Sequence, residues 1–288
     1  MSDLILPSSS APIFAGTELT LPSIIGRAGK RATYRYVEFF TAEIRNLNTR
    51  LAYYRALTQF FDWLEDCYPG LGIHQVNSIV VAQYIEVHPG SALTKNQHLS
   101  AIRSLFRWLE AGGVIVENPA VEVRGVKHRA KQGKTPVLSD EEMVQLLGSI
   151  DTSNVESLRD RALIATMFFS FARIGAVLGM SVGDYFQKGK RSWFRLHEKG
   201  GKYHEVPVHH TAEEYLDQYL DEAGLSGQKE FPLFQTAPGR SKKLTGERLK
   251  RQEAWAMVKR RALAAGVSTD ACNHTFRATG ITNFLRNG

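Results

Sequence analysis

Cysteine is almost absent from this sequence, and so are long apolar runs. Cys67 and Cys272 are the two thiols among 288 residues, and their spacing fits neither a disulfide framework nor a zinc motif. No segment approaches the roughly 18 consecutive apolar residues of a membrane helix, and the first residues lack the basic stretch and apolar core of a signal peptide. We therefore expect a chain that works in a reducing, cytoplasmic compartment.

Acidic residues are also fewer than basic residues. Lys and Arg number 36 against 29 for Asp and Glu, which gives a formal net charge of +7 and a pI of about 9.4. Hydrophobic residues make up 43% of the chain, which is enough for a folded core. A basic excess on a globular protein favours a polyanionic partner, either nucleic acid or an anionic membrane surface.

The first part of the chain predicts a helical domain that follows a flexible arm. Residues 1–29 contain several Ser, Pro and Gly and predict a loosely attached arm. Apolar residues then recur at steps of three and four, as in amphipathic helices, with Asn48 as the expected N-cap of the second one. Because Gly112 and Gly113 close the last helix, we assign residues 30–120 to a compact four-helix unit. The predicted helices span 31–45, 48–66, 78–86 and 94–110.

A basic linker separates this unit from a second domain. Residues 121–137 carry many Lys and Arg, so they form either a solvated spacer or a strap along a phosphate backbone. Ser139 and Glu142 then form a capping box, which opens a domain over residues 138–288. A β-hairpin with a Gly-Gly turn at Gly200 gives the strand signal, so the predicted class is mainly α with a small antiparallel sheet. The predicted elements are helices over 140–149, 156–170, 211–223, 247–265 and 274–287, and strands over 191–196 and 205–208.

Basic side chains lie on the outer faces predicted for the first domain and continue into the linker and the hairpin. A solvated face explains each one alone, but as a set they suit contacts to the phosphates of DNA. We therefore take them as candidate DNA-binding residues. The set comprises Arg50, Arg55, Lys95, Arg103 and Arg107 in the first domain, Lys127, Arg129 and Lys131 in the linker, and Lys202 in the hairpin.

Four further side chains predict a site for phosphate chemistry. His274 and Arg277 lie three residues apart and share one face of a predicted helix. The guanidinium fork binds phosphate oxygens, and the imidazole transfers protons near neutral pH. Arg173 is a charge in an apolar helix–turn segment, where it serves either a structural ion pair or a ligand. Lys199 lies on the Gly-rich turn, either as an ordinary exposed lysine or as a proton donor.

Together these residues resemble the tyrosine recombinase (phage integrase) family. The order is the family's: an Arg at the end of a helix, a Lys on a β-hairpin and a His-x-x-Arg motif on a late helix. The resemblance extends over nearly the whole chain, because the four-helix unit is similar to the family's core-binding, SAM-like domain. The motifs that carry it are Ala172-Arg173-Ile174-Gly175, Glu198-Lys199-Gly200-Gly201-Lys202 followed by Val206-Pro207-Val208, and His274-Thr275-Phe276-Arg277-Ala278-Thr279-Gly280.

The resemblance implies DNA integration and recombination by strand exchange. A tyrosine hydroxyl attacks a DNA phosphodiester and forms a 3′-phosphotyrosyl bond, which a 5′-hydroxyl of another strand resolves. By this resemblance Arg173 and Arg277 hold the non-bridging oxygens of the phosphate. Lys199 protonates the leaving 5′-oxygen, and His274 assists proton transfer. The implied partners are double-stranded DNA and further protomers, because family members act as tetramers.

No metal or other cofactor is expected for this chemistry. The sequence has no tight cluster of Asp and Glu near the four site residues that would hold Mg²⁺. Four histidines crowd the hairpin, but their spacing matches no common zinc pattern and no cysteine accompanies them. These histidines are His197, His204, His209 and His210.

Two departures from the family pattern bear on activity. The acidic residue that usually lies three positions after the first Arg is here Ala176, which affects the orientation of Arg173. The nucleophilic Tyr usually follows the His-x-x-Arg motif by a few tens of residues, whereas all ten tyrosines here precede His274. We therefore expect a C-terminally truncated chain that binds DNA and is unable to cleave it unaided.

The same residues leave two alternatives. A complete product with this sequence would be a non-catalytic DNA-binding protein that competes for recombination sites. A type IB topoisomerase shares the site chemistry, but the compact helical first domain and the short hairpin motif favour a recombinase. Without the C-terminal helix that family members exchange, we expect a monomer. We also expect reduced stability and an exposed apolar patch at Ile281, Phe284 and Leu285.

Overall fold

The computed structural model divides the chain into two compact units, Met1–Ala130 and Lys131–Gly288. It confirms a mainly α fold with a small antiparallel sheet. None of the described helices is long and apolar enough to cross a membrane. The structure describes residues 19–128, 135–197, 203–237, 243–267 and 270–287. Four candidate residues lie outside these ranges: Arg129, Lys131, Lys199 and Lys202.

All regular secondary structure that the structure describes in the N-terminal unit is helical, as the apolar periodicity predicts. The second predicted helix begins at Leu47, because the side chain of Asn46 accepts a hydrogen bond from the Thr49 N–H at 3.1 Å. The predicted cap at Asn48 is therefore wrong by two residues. The helices are α1 (Ser23–Arg27), α2 (Lys30–Glu38), a π-helical turn (Phe39–Glu43), α3 (Leu47–Cys67), a 3-10 turn (Ile73–Gln75), α4 (Ser78–Val87) and α5 (Ala92–Ala111).

Aromatic side chains fill the core of this unit. Phe39, Phe60 and Phe106 are completely buried, and α3 packs along α5. Tyr36 is buried among them, with its ring 5.2 Å from that of Phe40 in an edge-on arrangement. Large buried rings on several helices fix the positions of these helices relative to one another. The basic side chains lie on the outer surface of the helices.

A histidine pair lies at the edge of the same core. His98 is 6% exposed, its Nδ1 is 2.8 Å from the Tyr84 hydroxyl, and its ring centroid is 4.3 Å from that of His88. Burial, and then the charge of His88, lowers the pKa of His98 to about 4. Burial and Lys95 also lower the pKa of His88. Both rings are therefore neutral in the folded protein at neutral pH.

Acidification is expected to weaken this core. Between pH 6.5 and 4 the unfolded chain binds a proton at His98 and the folded chain does not, so stability falls as pH falls. At pH 4.5 the loss from this residue is about 2 to 3 kcal/mol. Urea unfolding of the full chain at pH 7 and pH 4.5 measures it, with His98→Gln as the comparison. An equal pH-dependence in His98→Gln would contradict the assignment.

The first helix of the C-terminal unit begins at the predicted capping box. The Ser139 hydroxyl accepts from the Glu142 N–H at 3.2 Å, and the Glu142 carboxylate accepts from the Ser139 N–H at 2.8 Å. Strand β1 was not predicted, because four residues ending in a Gly189 turn carry little periodicity. The elements are α6 (Asp140–Gly148), α7 (Val155–Ser170), α8 (Ile174–Gly179), a 3-10 turn (Val182–Asp184), β1 (Tyr185–Lys188), β2 (Arg191–His197), β3 (Tyr203–Pro207), α9 (His210–Glu222), α10 (Arg251–Ala264) and α11 (Asn273–Asn287).

The sheet has the order β1-β2-β3 and is antiparallel throughout. Strands β2 and β3 pair from Trp193 opposite Pro207 to His197 opposite Tyr203, which confirms the predicted hairpin. Side chains alternate along β2, so every second one, such as that of Phe194, points into the core and the ones between them point outward. The sheet therefore presents the two strands that flank Lys199 from the rigid core of this unit.

A buried ion network joins α7 to α10. Asp160 is fully buried, and its two carboxylate oxygens accept from different arginines: Arg159 at 2.6 Å and Arg261 at 2.8 Å. Arg159 also donates to the carbonyl of Gln235 at 2.8 Å, and Arg261 to the hydroxyl of Ser157 at 2.9 Å. Because the carboxylate is matched by two charged donors, the cost of burying these charges is offset.

Candidate functional site

Arg173 follows a sharp turn between two helices. Helix α7 ends at Ser170, and Phe171 then adopts a left-handed backbone conformation with φ 53° and ψ 19°. The chain resumes at Arg173, whose carbonyl accepts from the N–H of Ala176 at 2.8 Å and starts α8. The Arg173 side chain is exposed. The turn therefore places this guanidinium at the surface, although the flanking residues are buried.

Helix α11 carries the His-x-x-Arg pair. Its buried residues include Thr275, Phe276 and Thr279, and the Thr279 hydroxyl accepts from the buried Leu138 N–H at 3.0 Å. His274 is exposed and lies one turn before Arg277. With the inner face fixed in the core, the two functional side chains lie on the other side of the helix.

Arg277 connects α11 to the turn that carries Arg173. Its Nη1 donates a hydrogen bond to the carbonyl oxygen of Phe171 at 2.6 Å. The side chain is half-buried, and the Phe171 carbonyl belongs to the residue two positions before Arg173. Arg277 is thus bonded to the backbone between α7 and α8, two residues before Arg173, although the two arginines are 104 positions apart in the sequence. One guanidinium edge is held by the protein, which fixes the plane of the remaining donors.

Gly280 permits the close approach of α11 to α7. A Cβ at this position would lie 2.3 Å from the Phe168 carbonyl oxygen and 2.6 Å from ring carbons of Phe171. A backbone carbonyl is unable to move aside as a flexible side chain does. The Gly in the motif is therefore a packing requirement, one turn beyond Arg277.

Replacing Gly280 by Ala is expected to destabilise the C-terminal unit by about 1 to 3 kcal/mol, through overpacking against backbone. Urea unfolding of the full chain measures the change. Gly179→Ala is the matched control, because no atom lies within 4 Å of its added Cβ. It is expected to be neutral or slightly stabilising. Equal stability of both variants would contradict the clash.

The other predicted proton donor lies in the hairpin. Lys199 and Lys202 fall between β2 and β3, outside the described residues. The described flanks pair at His197 opposite Tyr203. The roles of these lysines remain predictions.

Three predicted DNA-binding residues bond to backbone within the N-terminal unit. Arg50 donates to the Ile44 carbonyl at 2.8 Å, and Lys95 donates to the Glu86 carbonyl at 2.8 Å. Arg103 donates to two carbonyls of the segment that follows α5, at 3.0 and 2.7 Å. Each of these cations has a structural role, and sequence periodicity gave no signal of it.

The other described candidates project into solvent. Arg55 and Lys127 are exposed, and Arg107 is exposed with an ion pair to Glu43 at 3.3 Å. An exposed pair of this kind contributes little stability and exchanges easily for a phosphate. The set remains a prediction, with these three members the most accessible.

An apolar groove beside the site was not anticipated. It has a volume of about 560 Å³, and the His209 ring stacks on Phe169 at 3.9 Å along its wall. Burial, and then His210, lowers the pKa of His209. Phe284 and Leu285 are exposed, as predicted, whereas Ile281 is half-buried. In the sequence, the phenylalanines before Arg173 are the residues that indicate this groove, but the same residues are equally typical of a hydrophobic core.

Metal ligation finds no support among the described residues. In that part of the chain, no group of three His, Cys, Asp or Glu side chains could hold a metal ion. The hairpin histidines are engaged elsewhere: His209 accepts from the Thr211 N–H at 3.2 Å, and His197 lies 3.5 Å from Asp184. Neither arrangement resembles a metal site.

Two family profiles match the chain. That of the phage integrase family matches residues 136–288, and that of the phage integrase N-terminal SAM-like domain matches residues 35–113. Tyrosine recombinase XerD of Chlorobaculum tepidum is 29% identical over 269 residues, which cover 88% of this chain and 82% of that protein. XerD of Oceanobacillus iheyensis is 27% identical over 250 residues, which cover 84% and 80%.

Solved structures show the same fold. The XerH site-specific recombinase in its post-cleavage complex with palindromic difH substrate gives a TM-score of 0.68 at 19% identity, over 95% of this chain and 81% of that one. A lambda integrase dimer bound to a COC′ core site gives 0.66 at 16% identity, over 92% and 70%. At these identities the likeness concerns the fold of the chain.

Proposed function

Because the chain belongs to the phage integrase family of tyrosine recombinases, we propose that it binds a specific duplex DNA site and activates a phosphodiester there for strand exchange. The observation that carries this proposal is the bond from Arg277 to the Phe171 carbonyl at 2.6 Å. That bond joins the two helices that present Arg277 and Arg173, as a site for one phosphate requires. The XerH and lambda integrase structures, in which the protein is bound to DNA, support the choice of ligand.

The proposed chemistry assigns one role to each side chain. Arg173 and Arg277 bind the non-bridging oxygens and stabilise the extra negative charge of the five-coordinate phosphorus. The oxygen of an attacking hydroxyl group, which none of the ten tyrosines within these 288 residues is proposed to supply, bonds to phosphorus and loses its proton to a base while the bond to the 5′-oxygen breaks. Lys199 delivers a proton to that oxygen, and His274 takes part in the proton transfer. This step needs no metal, because the guanidinium groups and proton donors supply the charge compensation.

DNA is proposed to contact both units. In the N-terminal unit the exposed Arg55, Arg107 and Lys127 are the first candidates for phosphate contacts, and the net charge of +7 supports attraction over longer range. Further protomers are proposed as partners on the DNA, since a lambda integrase tetramer bound to a Holliday junction has the same fold. We place this activity on nucleoid DNA in the cytoplasm.

Within these 288 residues, we propose that none of the ten tyrosines is the attacking group. All of them precede His274, and Tyr36 and Tyr219 are fully buried. Burial raises the pKa of both hydroxyls, which disfavours a nucleophilic phenolate. This polypeptide is therefore expected to bind DNA and form no covalent adduct on a nicked duplex. A protein–DNA adduct that survives denaturation would contradict this assignment.

The test of the function uses a reaction that needs no tyrosine. Selection from random duplexes at about 0.15 M salt first identifies the preferred site. One strand of that site is then made with a 3′-(p-nitrophenyl) phosphate, annealed beside a strand with a free 5′-hydroxyl. The 5′-hydroxyl oxygen attacks phosphorus, p-nitrophenolate leaves, and the hydroxyl proton passes to a base. We call this the joining assay.

The wild-type chain is expected to release p-nitrophenolate and produce the joined strand, and Arg173→Ala to retain binding and lose most joining. Site-selective binding with no joining above the duplex alone would contradict the proposed activity. It would instead favour a non-catalytic DNA-binding protein that competes for recombination sites. Inhibition of an intact recombinase on the selected site then tests that second function.

A further inference from the structure

Phe171 has a backbone conformation that its side chain disfavours. Its φ of 53° makes it the one non-glycine residue with positive φ among the described residues. A Cβ crowds the backbone in this left-handed region, so glycine or asparagine is the usual choice. A turn alone would therefore be served better by glycine. A phenylalanine here indicates a use for the ring.

The ring and the carbonyl of Phe171 both contact α11. The carbonyl oxygen accepts from Arg277 at 2.6 Å. Ring carbons lie 2.6 Å from where a Cβ of Gly280 would be, so the ring covers that glycine. The ring centroid also lies 6.0 Å from that of Phe284 in an edge-on arrangement. Residues 277, 280 and 284 form one stripe along a helix, so a single residue spans two turns of α11.

We propose that Phe171 is a positioning residue for Arg277. The ring fixes the height and rotation of α11 through Gly280 and Phe284, and the carbonyl then orients the guanidinium. The turn also sets the start of α8, where Arg173 lies. The positions of Arg173 and Arg277 thus both depend on Phe171, which takes no part in the proposed chemistry itself. The consequence for joining rests on the proposed function, whereas the consequence for Arg277 does not.

Two observables on the full chain test this proposal. The first is hydrogen exchange of the Arg277 guanidinium, followed by NMR with ¹⁵N-labelled arginine and identified by the signal missing in Arg277→Lys. The second is the joining assay, analysed for kcat and KM separately. Variants Phe171→Ala and Phe171→Gly remove the ring, and Phe171→Tyr keeps it. Because glycine suits the turn, Phe171→Gly carries the test where Phe171→Ala unfolds.

Loss of the ring is expected to speed Arg277 exchange at least tenfold and to lower kcat by about 10 to 100-fold, since small misplacements at a reacting centre are costly. The KM for DNA is expected to stay within about threefold, because the ring packs on Gly280 and Phe284 of α11 and the proposed phosphate contacts come from other side chains. Phe171→Tyr is expected to restore both observables to within about threefold. Leu285→Ala is the matched control: Leu285 is next to Phe284 and is also exposed, and it lies outside the stripe.

The outcomes separate the two proposals. Unchanged Arg277 exchange in both ring-deletion variants overturns the positioning role, whatever the joining rate. Faster exchange in these variants, with no joining even by the wild-type chain, supports positioning and removes the proposed activity. Loss of joining in Phe171→Tyr as well as in Phe171→Gly would assign the effect to general disruption and would also overturn the inference.

Discussion

Replacing Asp160 by Ala is expected to destabilise the C-terminal unit by about 3 to 5 kcal/mol, enough to unfold it in a marginally stable protein. The carboxylate is fully buried and accepts from Arg159 at 2.6 Å and from Arg261 at 2.8 Å. Its removal leaves the Arg159 charge, which is 3% exposed, without its closest counter-charge in a medium that solvates ions poorly. Urea unfolding followed by circular dichroism measures the loss.

The control for this prediction is Arg260→Ala. Arg260 lies 3.5 Å from the same carboxylate but is 55% exposed, so its removal is expected to cost less than about 1 kcal/mol. Asp160→Asn keeps the shape and removes the charge, and is expected to be nearly as damaging as Asp160→Ala. If all three substitutions had equally small effects on the free energy of unfolding, water would screen these ion pairs and burial would not determine their contribution to stability.

Replacing Arg277 by Ala is expected to slow the joining reaction about 10³-fold, equivalent to about 4 kcal/mol of transition-state stabilisation. Its guanidinium is held at one edge by the Phe171 carbonyl, so the remaining donors are oriented before the phosphate arrives. Preorganised donors cost no reorganisation as negative charge develops on the non-bridging oxygens of the phosphate, and for that reason the effect is expected in kcat.

Arg277→Lys tests whether charge or geometry matters. Lysine keeps the positive charge but lacks a planar fork, and it is unable to bond to a carbonyl and to two phosphate oxygens in one plane. We expect a loss of about 10²-fold with DNA affinity within about threefold. A fully active Arg277→Lys would contradict the geometric role, and a loss of DNA affinity equal to the loss of rate would assign Arg277 to binding alone.

Much of this fold follows from local patterns in the sequence. The capping box at Ser139, the hairpin around Gly200 and the helix that carries His274 were predicted because each depends on neighbours within a few residues. The N-cap at Asn46 was missed by two positions, since two asparagines were available and the choice depends on which one meets a free N–H. Strand β1 was missed because its pairing with β2 is its main support.

The candidate site residues were proposed from the sequence, whereas the contacts that hold them in place were not. Arg173, His274 and Arg277 follow from the family resemblance. The left-handed Phe171 does not, because the sequence around it predicts an ordinary apolar core position. Arg103 has contacts that helical periodicity does not indicate. It was predicted on an outer face from helical periodicity, yet its bonds to the segment after α5 come from tertiary structure. Long-range partners of this kind leave no local signal.

The close approach of α11 to α7 at Gly280 has a consequence for genetic screens. A screen of random alleles for loss of the joining reaction is expected to score position 280 together with the arginines, because any side chain there meets the Phe168 carbonyl. The glycine has no functional group, so an allele map alone would assign it a chemical role that it does not have. Suppressor alleles distinguish the two classes: a packing lesion at residue 280 admits second-site compensation in α7 or α11, whereas a missing guanidinium admits none.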